Sequence, residues 1–331
     1  MRSLGESESW PGFESGLTEE EYERLVVLIN RQVAHNGWFT PENVRKSVRA
    51  LGGLLTLEQL SAWTANYGYS ATPKRVGLIM AGNIPLVGFH DFLCVLVSGN
   101  TAVCKLSSTD KQLLPAFADV LVSFVPELKK RIEFVTGPIG PLEGVIATGS
   151  NNSLKYFEQY FGHYPHIFRK NRTSLAVLDG SETKEEINRL GDDIFSYFGL
   201  GCRNVSHVML PADFELSRFF EGIFEHSEVV HNNKYGNNYD YNKAVYLMNQ
   251  LPLLDNNFVL LRESDELFSP LAMIHYQRYS AQTEVEEYLQ KHKDDLQVIV
   301  GKNYTPFGIA QNPSLLDYAD GVDVMEWLSK L

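Results

Sequence analysis

The sequence predicts an α/β protein in two packed domains, the first built on a parallel sheet with helices on both faces. Two observations carry this expectation. Short apolar runs bounded by Gly, Pro and Asn alternate with longer amphipathic runs, which is the pattern of strands joined by crossover helices. A length of 331 residues with 44% hydrophobic and 12% aromatic content suits two ordinary soluble domains rather than a disordered chain.

Residues 18–66 read as helical, with TEEE at the start and Leu25, Leu28 and Ile29 at helical spacing. RVGLIMA (75–81) is a buried strand, PLVGFHDFLCVLVSG (85–99) a helix, NTAVCKL (100–106) a strand and DKQLLPAFADVLVSFV (110–125) a helix interrupted by Pro115. IEFVTG (132–137) gives a third strand, LEGVIATG (142–149) contains a fourth, and NSLKYFEQYFG (152–162) is a helix. In a parallel sheet of this kind ligands bind outside the carboxyl ends of the strands. Three loops fall there: AGNIP, LSST and TGSNN.

A second unit is expected from about residue 180. It opens with a helix (183–198), then the loop around Cys202, the strand VSHVMLP (205–211) and a helix from about 214. The asparagine-rich HNNKYGNNYDYN (231–242) reads as an exposed loop leading into another helix. FVLLRE (258–263), LAMIHYQRY (271–279) and VIVG (298–301) read as strands, with a helix over 283–297.

Composition excludes several classes of function. The formal charge of −12, from 29 basic against 41 acidic residues, argues against a general nucleic-acid surface, which needs clustered cations. Cys94, Cys104 and Cys202 form neither a CxxC nor a paired framework, so a reducing, cytoplasmic setting is expected. The N-terminus lacks a signal-peptide pattern, and the most apolar stretch, 76–99, is interrupted by Asn83, Pro85, His90 and Asp91, which argues against a membrane span. No GxGxxG follows a predicted strand, and GxxxxGK(S/T) and GxSxG are absent. HYPH (163–166) and HSEVVH (226–231) lack metal-ligand spacing, so no metal is expected.

What remains is FGLGCRNVSHVMLP (198–211), which sets Cys202 between a glycine-rich turn and a strand. On its own residues Cys202 is either a small buried hydrophobe or a nucleophile, left open to approach by Gly199 and Gly201 with Arg203 favouring the thiolate. The order of the surrounding motifs decides between them. AGNIP (81–85), CKLSS (104–108), ATGSNN (147–152), AVLDG (176–180), GLGC (199–202) and ELFSP (266–270) resemble, in that order, the motif set of the aldehyde dehydrogenase superfamily. AGNIPLVG, SGNTAVCKLSS, RKNRTSLAVL, GCRNVSHVMLP and QNPSLLDYADGVD resemble its acyl-CoA reductase branch of the bacterial luminescence (LuxC-like) type, from about residue 75 onward.

The resemblance implies an aldehyde-dehydrogenase-like fold: N-terminal helices and a Rossmann-like nicotinamide-cofactor domain over 1–180, a smaller catalytic domain over 181–305, and a C-terminal segment, 306–331, returning toward the active site. It implies reduction of an acyl-CoA or other acyl thioester to an aldehyde, with NADPH, or alternatively NADH, as the reductant. Cys202 would be the nucleophile, and the Asn83 amide with the Cys202 backbone N–H would hold the oxyanion. Lys105 and Ser107 would contact the adenosine side of the cofactor, Gly149 and Ser150 its pyrophosphate at a helix start, Glu266 its nicotinamide ribose, and Phe268 would lie beside the ring. Ser269 replaces the usual glycine of the last motif. Val177 and Leu178 stand where hydrolytic relatives carry a general-base glutamate, which favours a thioester reductase over an aldehyde oxidase. Assembly as a homo-oligomer or with a fatty-acid-activating enzyme is implied as well. Two alternatives stand beside this reading: an acylating reductase of acyl phosphates or short-chain acyl-CoA, and a non-catalytic scaffold that keeps the fold.

Overall fold

Threonine caps set the boundaries of the N-terminal helices in a computed structural model that describes residues 1–69 and 72–331. After α1 (Arg2–Glu6), α2 (Glu19–His35) begins at a reciprocal cap: Thr18 Oγ1 accepts from the Glu21 N–H, and the Glu21 carboxylate accepts from the Thr18 N–H at 2.9 Å. Thr40 caps α3 (Pro41–Leu54) and Thr56 caps α4 (Leu57–Thr64). Their apolar faces bring Tyr22, Ile29, Val44, Val48 and Trp63 into one core with the first sheet.

That sheet takes β1 (Arg75–Ile79), α5 (Phe89–Val97), β2 (Thr101–Lys105), α6 (Leu113–Phe124), β3 (Ile132–Phe134), β4 (Gly144–Thr148), α7 (Asn151–Phe161) and β5 (His166–Arg169) in chain order. Its strands run parallel in the order β3-β2-β1-β4-β5, so the winding reverses between β1 and β4. Near-continuous burial along β1, β2 and β4 is what helices on both faces require. Pro115 does not break α6 because it falls in the first turn, where the missing N–H has no helical partner to lose.

The second sheet is assembled from β6 (Thr173–Val177), α8 (Lys184–Phe195), β7 (Val205–Pro211), α9 (Leu216–Gly222), α10 (Asn233–Met248), β8 (Leu254–Asp255), β9 (Leu260–Glu263), β10 (Met273–Tyr279), α11 (Gln282–Lys291) and β11 (Leu296–Val300). Its order is β11-β6-β7-β10-β9-β8, parallel except where β8 meets β9.

The chain separates into two compact units, Met1–Asn171 with Ser314–Leu331, and Arg172–Pro313. The sequence expectation put the division near residue 180. The difference is β6, whose pairing with β7 and β11 commits residues 173–177 to the second sheet. The last segment rejoins the first unit through α12 (Val324–Ser329). There Trp63 Nε1 donates to Tyr318 Oη at 2.7 Å, Tyr318 Oη donates to Tyr67 Oη at 3.1 Å, and Tyr67 Oη donates to Asp323 at 2.7 Å.

HNNKYGNNYDYN is not an exposed loop. It forms the first part of α10, capped by Asn232 Oδ1, which accepts from the N–H groups of Lys234 and Tyr235. Its buried face is built from Tyr235, Tyr239 and Asn242 rather than aliphatic residues, with Tyr239 Oη on Asp255 at 2.6 Å and Asn242 Nδ2 on the Leu271 carbonyl at 2.8 Å. No helix among the described residues is long and apolar enough to cross a membrane.

Candidate active site

In the first unit, the loops that follow β1, β2 and β4 leave the same edge of the sheet, because these neighbouring strands are parallel. Two of them touch. Thr109 Oγ1 donates to the Gly82 carbonyl at 2.9 Å and lies 2.9 Å from Ser107 Oγ, and a Cβ on Gly82 would come within 2.6 Å of Ser107. Asn83 is exposed on this turn. The turn's left-handed residue, Leu86 (φ 59°), donates its N–H to the buried carboxylate of Asp110 at 3.1 Å, and Ser47 Oγ donates to the Pro85 carbonyl at 2.8 Å. Burial pushes the Asp110 carboxyl up to about 6.

Lys105 ends β2 with Nζ 3.4 Å from the Gly137 carbonyl and stays partly exposed. Ser150 caps α7, accepting from the Ser153 N–H, and no acidic side chain occupies the helix's first turn. Gly149 is needed for close approach: a Cβ there would lie 2.8 Å from Ser153 and 2.9 Å from the Phe157 ring. A glycine turn, a helix N-terminus without acidic side chains and a lysine stand at the carboxyl edge of this sheet, a ledge of backbone N–H groups and positive charge.

In the second unit, Cys202 sits half-buried between the end of α8 and β7. The approach to it is strained. Tyr197 (φ 52°), Phe198 (φ 59°) and Gly199 (φ 77°) are consecutive left-handed residues, a conformation costing about 1–2 kcal/mol for each non-glycine. Asn204 offsets that cost. Its Nδ2 donates to the carbonyls of Asp193, Ile194 and Ser196 at 3.0, 3.2 and 2.9 Å, and its Oδ1 accepts from the Gly201 N–H at 2.8 Å. Ser174 Oγ, from β6, donates to the Cys202 carbonyl at 3.0 Å. Arg203 donates to the Ala310 carbonyl at 3.4 Å, and buried Asp193 accepts from the N–H groups of Gly308 and Ala310. The other two thiols differ sharply. Cys94 and Cys104 are fully buried, and burial raises both, Cys104 to about 12.

Glu266 and Phe268 lie on the loop between β9 and β10 with their side chains outward, Glu266 loosely paired with Arg262 at 3.8 Å. Val177 and Leu178 are buried at the end of β6. The nearby carboxylate of Glu182 accepts from the N–H groups of Asp179 and Gly180 at 2.7 and 3.0 Å, so it closes its own turn. The loops before Cys202 and after Phe268 also border a cleft of about 230 Å³ lined by Phe198, Leu200, Tyr235, Leu271 and Met273. Among the described residues no group of three or more His, Cys, Asp or Glu is placed to hold a metal ion.

Sequence reasoning brought together Asn83 with Ser107, and Gly149 with Ser150, on one sheet edge. It missed Asn204 and Asp110. Asp110 belongs to no named motif; Asn204 lies within GCRNVSHVMLP, where the GxxN spacing after Gly201 was the signal for it.

Residues 20–216 match the family of acyl-CoA reductases (LuxC). No curated protein matches the chain in sequence. Among solved structures, the chain is similar to a putative aldehyde dehydrogenase, PutA, from Anabaena variabilis, at 12% identity and a TM-score of 0.64 over 92% of this chain and 83% of that one. It is also similar to indole-3-acetaldehyde dehydrogenase in complex with NAD+, at 14% identity and a TM-score of 0.58 over 86% and 69% of the two chains. A third is 3,6-anhydro-L-galactose dehydrogenase in complex with NADP, at 13% identity and a TM-score of 0.59 over 84% and 72%. These likenesses establish the aldehyde dehydrogenase fold.

Proposed function

Because the chain belongs to the acyl-CoA reductase (LuxC) family, oxidoreductases that convert acyl-CoA to aldehyde, we propose that Cys202 carries the acyl group and that NADPH is the reductant. The observation that carries this reading is the contrast among the thiols: Cys94 and Cys104 are buried and raised, whereas Cys202 is reachable on a loop held by Asn204 and Ser174.

The reaction divides into two transfers. Cys202 Sγ attacks the thioester carbonyl carbon, the bond to the CoA sulfur breaks, and CoA leaves as the thiol with a proton from solvent. The acyl group now sits in a thioester to Cys202. A nicotinamide held by Glu266 and Phe268 would supply the hydride that reduces this thioester; Cys202 Sγ would then take back the electron pair of the C–S bond as aldehyde leaves. Asn83 is assigned to the developing oxyanion, a role in which losing one donor lowers the rate by about 10²–10³. Lys105, Ser107, Gly149 and Ser150 are assigned to the phosphate and adenosine end of the cofactor, and Glu266 and Phe268 to the nicotinamide end. Support comes from the ledge at the carboxyl edge of the first sheet and from the NAD+ and NADP bound to proteins of the same fold. The apolar cleft beside the Cys202 loop suits the acyl tail.

The test is NADPH oxidation with acyl-CoA esters of increasing chain length, beside acyl phosphates, in wild type and Cys202→Ala. Aldehyde formed from acyl-CoA by wild type alone supports the reading. Turnover by Cys202→Ala would overturn the nucleophile, and turnover of acyl phosphates alone would replace the substrate.

A further inference from the structure

Two histidines have no part in the chemistry above, yet both are fully buried in the second sheet. His207 of β7 and His275 of β10 are register partners, and both direct Nδ1 at one atom, the carbonyl oxygen of Glu266, at 3.1 and 2.9 Å. A carbonyl only accepts, so each neutral ring must carry its proton on Nδ1, and together they occupy both lone pairs. The neighbouring carbonyls are held in the same way. Tyr288 Oη, from α11, donates to Asp265 at 2.9 Å, and Ser206 Oγ, from β7, donates to Leu267 at 3.1 Å. Three consecutive carbonyls are thus fixed by side chains from three elements, while the side chains of Glu266 and Phe268 project outward from the same segment.

Stability does not account for the pair. Among the described residues the Nε2 atoms of both rings are buried without a hydrogen-bond partner, a state that costs free energy and that apolar residues would avoid. His207 is faced by His275, His292, Asp265 and Tyr288, and His275 by Arg262 and Glu266; burial keeps both rings below the ordinary imidazole value. We propose that His207 and His275 are positioning residues, which fix the Glu266 carbonyl so that the Glu266 and Phe268 side chains are set for the nicotinamide nucleotide. This rests on the assignment of Glu266 and Phe268 to the cofactor.

Asparagine places an amide N–H near the position of Nδ1, whereas glutamine carries it one methylene further and leucine removes it. Each histidine is therefore changed to Asn, Gln and Leu in the full chain. NADPH affinity is read by fluorescence titration, and acylation of Cys202 by intact mass reports that the fold survives. We expect H207Q, H275Q and the Leu variants to bind NADPH about ten-fold more weakly, with KM for NADPH rising and KM for acyl-CoA unchanged. H207N and H275N should stay within about two-fold of wild type, since they keep the donor. Acylation-competent Gln or Leu variants that bind NADPH like wild type would overturn the proposal, as would Asn variants as weak as the Gln variants. Glu266→Ala separates the two layers. If it binds NADPH normally, the cofactor assignment itself fails; if it binds weakly while the histidine variants bind normally, the positioning role alone fails.

Discussion

A thiol's reactivity follows its surroundings, and Cys202 has different ones from Cys94 and Cys104. Cys94 in α5 and Cys104 in β2 lie in apolar packing that disfavours the thiolate, whereas Cys202 is reachable on its loop. Brief iodoacetamide treatment followed by peptide mapping should label Cys202 first; earlier labelling of Cys94 or Cys104 would count against its role. Lys105 admits an equally local test. Its ammonium stands at a strand end, partly exposed, where a contact to the adenosine end of a cofactor would be the same in ground and transition states. Lys105→Ala should therefore raise KM for NADPH several-fold and leave kcat nearly unchanged. A collapsed kcat with an unaltered KM would remove Lys105 from the cofactor.

Elements, rather than single residues, hold the nucleophile in place, and here Asn204 joins the end of α8 to the start of β7. Asn204→Ala would remove four hydrogen bonds, to the carbonyls of Asp193, Ile194 and Ser196 and from the Gly201 N–H, next to two left-handed aromatic residues. Each such loss costs about 1–3 kcal/mol, so a marked fall in Tm is expected. Acylation of Cys202 should slow while NADPH binding persists, and wild-type acylation would show that the clamp is dispensable. The elements also show where the sequence could be read. β1, β2, β4 and β7 are short apolar runs between turn residues, and they were legible because burial on both faces leaves no other pattern. The loops after β1, β2 and β4 were legible with them, as turn residues at strand ends, whereas the Cys202 and ELFSP loops were marked out by the family resemblance. α10 was not, because its buried face is tyrosine and asparagine, whose hydrogen-bond partners in β8 and the loop before β10 are invisible to periodicity. β6 was hidden within a motif, and only its partners β7 and β11, distant in sequence, assign it to the second sheet.

At the scale of the whole molecule the chain makes one excursion, leaving the first unit at Arg172 and returning at Ser314. The returning segment contributes Leu315, Tyr318, Val324, Met325 and Leu328 to the first core, so truncation after Pro313 should destabilise the first unit strongly, as a loss of near-UV signal and Tm would report. The two units also carry buried titrating groups of opposite sign. Asp110, in the first, is raised from 3.8 to about 6, so the folded state binds its proton more tightly. Its contribution is full below the ordinary carboxylate value and is lost as pH rises through about 6. His207, in the second, is lowered from 6.5 to about 4, so its contribution is present above the ordinary imidazole value and is lost as pH falls toward 4. Asp110→Asn keeps an acceptor for the Leu86 N–H without the charge. Relative to wild type it should gain stability as pH rises from about 4 to 6, by up to about 1.4 kcal/mol per pH unit, and then level off. His207→Asn should show the reverse slope, gaining on wild type as pH falls from about 6.5 to 4. Urea titrations of the three proteins across this range check both signs, because groups common to all three cancel in the differences. Parallel, flat difference curves would mean that neither burial displaces its proton, and curves bending the same way would contradict the assignment of one carboxyl and one imidazole to opposite ends of the range.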